Sequence, residues 1–191
     1  TVDQYKQFSP KNDKRGNIMT WGMGSPEGHQ RGGIPTFNWS SEKKGVKSEQ
    51  NGSHPALAIL PEDAQKFCEW LSEKTGKKVR LPTEAQWEYA CRAGSTTRFS
   101  FGDRDEDLCR YANYCDQASL SAYPWQDKAH RDGFDKTSPV GSFKPNAWGL
   151  YDMHGNAWEL CRGWYTQNYP AADTVDPKGP ATGDRFVLRG G

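Results

Sequence analysis

The chain has 191 residues, enough for one domain with a sizeable core or at most two small ones. Its 25 Lys and Arg against 24 Asp and Glu leave a formal charge of +1, which provides no field to steer nucleic acid or a membrane surface. No apolar run reaches the roughly 18 residues of a bilayer span, and the 8 Trp, 8 Tyr and 8 Phe set the chain apart from disordered sequences despite a mean hydropathy of −0.96.

With 20 Gly and 12 Pro beside those aromatics, the composition points to a loop-rich fold anchored on large rings. The opening Thr1-Val2-Asp3-Gln4-Tyr5-Lys6-Gln7-Phe8 reads as the inside of a short helix. The close, Phe186 to Gly191, reads as a strand running into a turn. Both ends read as cut edges, so localisation is left open.

Residues 9–56 are polar and aperiodic, an irregular stretch expected to pack around Trp21, Phe37 and Trp39. Two glycosylation sequons fall there, Asn38-Trp39-Ser40 and Asn51-Gly52-Ser53, a pattern short enough to arise by chance. Residues 61–75 form the clearest helix. Pro61 suits the first position, Glu62 and Asp63 suit the positive N-terminus, and Gly76 ends it. Ala64, Phe67, Cys68 and Leu71 make one apolar stripe.

After an extended link, Lys78 to Leu81, the run Thr83-Glu84-Ala85-Gln86 is a capping box that starts a second helix. Trp87, Ala90 and Cys91 are its expected buried face, and Gly94 its stop. Beyond residue 95, short strands are expected at Arg98–Ser100, Thr137–Phe143, Gly149–Met153, Ala157–Arg162 and Arg185–Arg189. The class is α+β, with two short helices, short strands and extensive irregular loops in a single domain over residues 1–191.

Three blocks carry a resemblance. The first runs from Asp63-Ala64 through Phe67-Cys68-Glu69-Trp70-Leu71-Ser72 to Arg80-Leu81-Pro82-Thr83-Glu84-Ala85-Gln86-Trp87-Glu88-Tyr89-Ala90. The second is Pro139-Val140-Gly141-Ser142-Phe143 followed by Pro145-Asn146-Ala147-Trp148-Gly149-Leu150-Tyr151-Asp152-Met153. The third is Gly155-Asn156-Ala157-Trp158-Glu159, with Leu188-Arg189-Gly190-Gly191 at the close. In order and spacing these resemble the signature blocks of the formylglycine-generating-enzyme, or sulfatase-modifying-factor, family. The resemblance implies a C-type-lectin-like core. Two positions depart from the family pattern: Leu160 stands where an aromatic is usual, and Gly163 where an acidic residue is common.

Asp152, the Gly155 and Ala157 carbonyls and Glu159 offer mixed carboxylate and backbone oxygens, a donor set suited to Ca²⁺. A second set is Asn113, the Tyr114 carbonyl, Asp132 and the Phe134 carbonyl. On spacing alone, these carboxylates would sooner satisfy turn amides, because the pattern is no EF-hand loop. The resemblance tips both sets towards calcium.

The five cysteines, Cys68, Cys91, Cys109, Cys115 and Cys161, are an odd number without zinc-ligand spacing. Cys68 and Cys91 are read as small buried hydrophobes; in some relatives the equivalent positions form disulfides with cysteines after the Arg-Gly-Gly turn. A local Cys109–Cys115 bridge is the alternative to two free thiols, and Cys161 is read as packing.

The family resembled oxidises a sulfatase cysteine to formylglycine with O₂ and copper held by two cysteines. Those would lie beyond Gly191, so no catalytic residue is assigned within the chain. The alternative is a non-catalytic, calcium-stabilised lectin-like module that binds another protein or peptide. An iron-dependent sulfoxide-synthase relative, which needs a separate His-bearing domain, ranks last.

Overall fold

The computed structural model describes residues 1–8, 52–57, 59–119, 124–167 and 175–191. Trp21, Phe37, Trp39, the first sequon and Asn51 of the second lie outside the described residues.

Helix α1 (Val2–Phe8) matches the expected opening helix. Its first turn is held by backbone bonds from Val2 N to the His54 carbonyl (3.0 Å) and from Asp3 N to the Gly52 carbonyl (3.1 Å). Helix α2 (Pro61–Thr75) begins at Pro61 and closes on Gly76, whose φ of 67° lets its N–H reach the Ser72 carbonyl at 2.9 Å. Ala64 and Cys68 are buried and Phe67 and Leu71 half-buried, so the predicted stripe faces inward. Phe67 and Trp70 pack against Tyr5 and Phe8 of α1, with ring centroids 5.6 to 5.8 Å apart.

Helix α3 (Glu84–Arg92) carries the predicted capping box. Gln86 N donates to Thr83 Oγ1 (3.2 Å), and Thr83 N to Gln86 Oε1 (3.1 Å). Such a cap contributes about 1 kcal/mol. The turn out of the helix begins one residue before the expected Gly94, because Ala93 already has φ 48°.

Strands β1 (Glu159–Trp164) and β2 (Phe186–Arg189) form an antiparallel pair, with Glu159 opposite Arg189, Leu160 opposite Leu188 and Trp164 opposite Phe186. The register shifts between Leu160 and Trp164. Gly163 lies in this bulge at φ 118°, a region closed to most side chains, so the Gly-for-acid departure fits the local backbone. Trp87 and Cys91 of α3 pack with Cys161 and Val187 of the two strands, and Met153 lies against them.

Three of the expected strands are corrected. Arg98–Ser100 contributes one bridge, Phe99 to Gly102, inside a turn. Thr137–Phe143 and Gly149–Met153 join no ladder among the described residues. The buried Asn146 side chain takes the place of a strand partner for this region. Its Nδ2 donates to the Ala90 (2.7 Å) and Cys91 (3.1 Å) carbonyls, while its Oδ1 accepts from Trp148 N and Leu150 N, both at 3.0 Å. A 3₁₀ helix, Asp105–Arg110, was not expected from the sequence.

Candidate functional site

The first predicted oxygen set lies where α3, the β pair and a loop meet, and the second lies among the loops beside it. In the first, Glu159 sits at the head of β1 and its Oε2 accepts the Trp87 indole N–H at 2.8 Å. Burial raises the Glu159 pKa above the usual carboxylate range; the indole bond opposes this, and the negative charge of Asp152 adds to it. Asp152 adopts φ 57° and its Oδ2 accepts from Gly141 N (2.8 Å). Gly155 and Ala157 are joined by an N–H bond from Ala157 to the Gly155 carbonyl (2.9 Å).

In the second set, Asn113 is buried and its Nδ2 donates to the Lys136 carbonyl (2.8 Å) and to Asn156 Oδ1 (3.2 Å). Because Lys136 offers a carbonyl, the amide orientation is settled, and Oδ1 is the face left for a cation. Asp132 Oδ1 accepts from Phe134 N (2.8 Å), folding these two proposed donors into one turn. Its Oδ2 is buried without a hydrogen-bond partner among the described residues. The Tyr114 hydroxyl points elsewhere, donating to Asp127 Oδ2 at 2.5 Å; only its backbone belongs to the set.

Residues 113 and 155 pair in a parallel bridge, so the two sets adjoin. A Cβ at Gly155 would overlap the Asn113 carbonyl oxygen, and its φ is 77° besides. Glycine is required there.

The orphaned Asp132 oxygen tests the fit of a hard cation. A buried carboxylate oxygen without a donor costs free energy, and Ca²⁺ takes 6–8 oxygens of this kind. Asp116, fully buried, sharpens the point: its Oδ2 accepts from Asp132 N (2.5 Å). Burial and, more weakly, the Asp116 charge raise the Asp132 pKa. Such crowding of carboxylates is relieved by a cation. Among the described residues no three His, Cys, Asp or Glu side chains gather as a metal cluster, so the donor sets depend on amide and backbone oxygens. Sequence spacing did not reveal Asp116 or Asn156 as parts of this region. Asp116 is an isolated acid in a loop, a pattern usually solvated.

Copper is a different matter. All five cysteines are free thiols, so the expected alternative of a Cys109–Cys115 bridge is absent. Burial pushes the thiols of Cys68 and Cys91 up and that of Cys161 up to about 12. A soft metal needs thiolates, and burial opposes their formation at these three. Burial thus disfavours a thiolate copper pair among Cys68, Cys91 and Cys161.

A cleft of about 430 Å³ opens beside α3, lined by Trp87, Cys91, Ser100, His154, Trp158 and Gly190. Within it Ser100 donates to His154 Nε2 through both its N–H (3.3 Å) and its hydroxyl (2.9 Å). The backbone N–H can only donate, so Nε2 is the acceptor and the imidazole is neutral; burial lowers its pKa. Cys91 Sγ lies 3.9 Å from the same nitrogen. A protonated thiol beside a neutral imidazole whose lone pair is already engaged is no activated nucleophile.

Residues 1–191 match the family model described as sulfatase-modifying factor enzyme 1-like domain. The chain belongs to this family. It is 40% identical over 145 residues to a formylglycine-generating enzyme of Bos taurus, a match covering 72% of this chain and 34% of that protein. It is 37% identical over 140 residues to the inactive Cα-formylglycine-generating enzyme 2 of Bos taurus, covering 71% of this chain and 37% of the relative. The structure of PvdO from Pseudomonas aeruginosa superposes with a TM-score of 0.60 at 34% identity, over 74% of this chain and 51% of that one. The sulfatase-modifying-factor chain described here thus spans a third to a half of the length of these relatives. Among its described residues no helix is long and apolar enough to cross a membrane.

Proposed function

We propose that residues 1–191 form the calcium-stapled scaffold of a sulfatase-modifying-factor domain with a C-type-lectin-like arrangement. Asn113, the Tyr114 carbonyl, Asp132 and the Phe134 carbonyl hold one ion; Asp152, the Gly155 and Ala157 carbonyls and Glu159 hold the other. Calcium supplies charge neutralisation and cross-links loops that little regular structure ties together. The buried, partnerless Asp132 Oδ2 is the observation that carries this reading.

In the whole protein, this scaffold serves the oxidation of a cysteine in a sulfatase polypeptide to formylglycine, with O₂ and copper. The copper thiolates come from outside residues 1–191, and no step is assigned to a residue within them. Identity of 40% to a formylglycine-generating enzyme supports this reading. Identity of 37% to a relative named as inactive supports the second: a non-catalytic module that binds a protein or peptide.

Incubating the whole protein, copper-loaded, with a sulfatase-derived cysteine peptide under O₂ separates the two. Aldehyde formation supports the oxidase. Peptide binding without aldehyde, in protein that still binds calcium, supports the binding module.

A further inference from the structure

We propose that Asn156 couples the two cation sites, so that filling either one tightens the other. The proposal rests on the calcium reading above and concerns a residue that is itself no ligand. Asn156 lies between Gly155 and Ala157, whose carbonyls belong to one site. Its side chain reaches into the other: Oδ1 accepts from Asn113 Nδ2 at 3.2 Å. Its backbone N–H donates to the Asn113 carbonyl at 2.8 Å. The rest of its amide is spent on Ser138, accepting from Ser138 N (2.8 Å) and donating to the Ser138 carbonyl (3.3 Å). Since Ser138 offers one backbone donor and one backbone acceptor, the amide has a single satisfied orientation.

The consequence is mechanical. A cation on Asn113 Oδ1 fixes the Asn113 amide, which fixes Asn156 Oδ1, which fixes the two peptide units flanking residue 156. The first of those units carries the Gly155 carbonyl of the neighbouring site, and the second ends at Ala157, which carries the other. Asn156 also holds φ 67°, a left-handed conformation that Asn and Gly tolerate better than other residues. Ordering by the first ion therefore removes part of the ordering cost of the second, which is positive coupling without a large conformational change.

The test is calcium titration by isothermal calorimetry on chelator-stripped protein, following each site with the other disabled. Glu159→Gln empties one site and Asp132→Asn the other. Coupling predicts that Glu159→Gln weakens the remaining site by about 5-fold or more relative to wild type, and that Asp132→Asn weakens its neighbour by the same factor, as linkage demands. Asn156→Gly keeps the left-handed backbone and removes the amide. In that background the factor should fall below about 2-fold, with melting curves confirming that the variant folds. Should Asn156→Gly not fold, Asn156→Ser, which also removes the amide, takes its place in the same comparison. Two sites of unchanged affinity in the single variants would overturn the coupling, and the same factor with and without the Asn156 amide would overturn the role of Asn156, each leaving the calcium reading standing. No calcium heat in the wild-type protein overturns the calcium reading and the coupling together.

Discussion

Trp87 donates its indole N–H to Glu159 Oε2 across 2.8 Å, tying the middle of α3 to the first residue of β1. The bond joins two signature blocks 72 residues apart in sequence and commits one oxygen of a proposed calcium ligand to the protein. Arg189 reinforces the same junction. Its guanidinium lies 5.2 Å from the Trp87 ring and pairs with Glu84 (3.5 Å) and Glu88.

Trp87→Phe keeps a ring in the core and removes the donor together with part of the indole volume. The orphaned Glu159 oxygen should then cost about 1–3 kcal/mol, read as a lower urea midpoint with an unchanged slope. An unchanged midpoint would mean that the indole bond contributes nothing net.

Gly155→Ala tests the close approach of the two loops. Left-handed φ and overlap with the Asn113 carbonyl act together there, so the loss should be about 3 kcal/mol or more. Gly141→Ala is the control. A Cβ at Gly141 meets only the Tyr151 ring, at 3.7 Å, and the strain of φ 74° alone should cost about 1–2 kcal/mol. Thermal melts of the two variants should rank in that order.

The fold was legible where local chemistry decides it. The Thr83–Gln86 capping box, the Pro61 start and the Gly76 stop depend on residues within one turn of each other, and the structure has all three. The segments Thr137–Phe143 and Gly149–Met153 were misread as strands because their backbone partners are remote. Asn146 satisfies that region from a side chain, and Val140 N bonds to the Ser53 carbonyl. No pattern in the sequence announces either contact. For the candidate site, ligand types could be proposed from residue type and spacing, but Asp116 and Asn156 come beside it only through tertiary contacts.

Asp127 sets an acid limit on stability. Hydrogen bonds from the Tyr114 hydroxyl, then Ala129 N–H, then His130 lower its pKa from 3.8 to about 2. A folded value below the unfolded one means stabilisation that is fully present above about 3.8 and is lost as pH falls through about 2. Asp127→Asn should therefore be less stable than wild type at pH 5 to 6, with the gap closing as pH falls from about 4 to about 2. Urea unfolding across that range measures it, and a gap that does not change with pH contradicts the assignment.

Thiol reactivity should divide the five cysteines. Cys109 and Cys115 are half-exposed, whereas Cys68, Cys91 and Cys161 are buried with raised thiol pKa values. Ellman's reagent at pH 8 should titrate the first pair rapidly and the other three only after denaturation. Rapid modification of Cys161 would contradict its place in the core.

The calcium scaffold is tested most directly by the melting temperature of chelator-stripped protein with and without millimolar Ca²⁺, with Mg²⁺ as the control. Binding to the folded state alone predicts a rise of several degrees with Ca²⁺, on the order of 3 kcal/mol at a hundredfold excess over Kd, and a smaller rise in Asp132→Asn. Identical melting temperatures in Ca²⁺, Mg²⁺ and chelator would contradict the account.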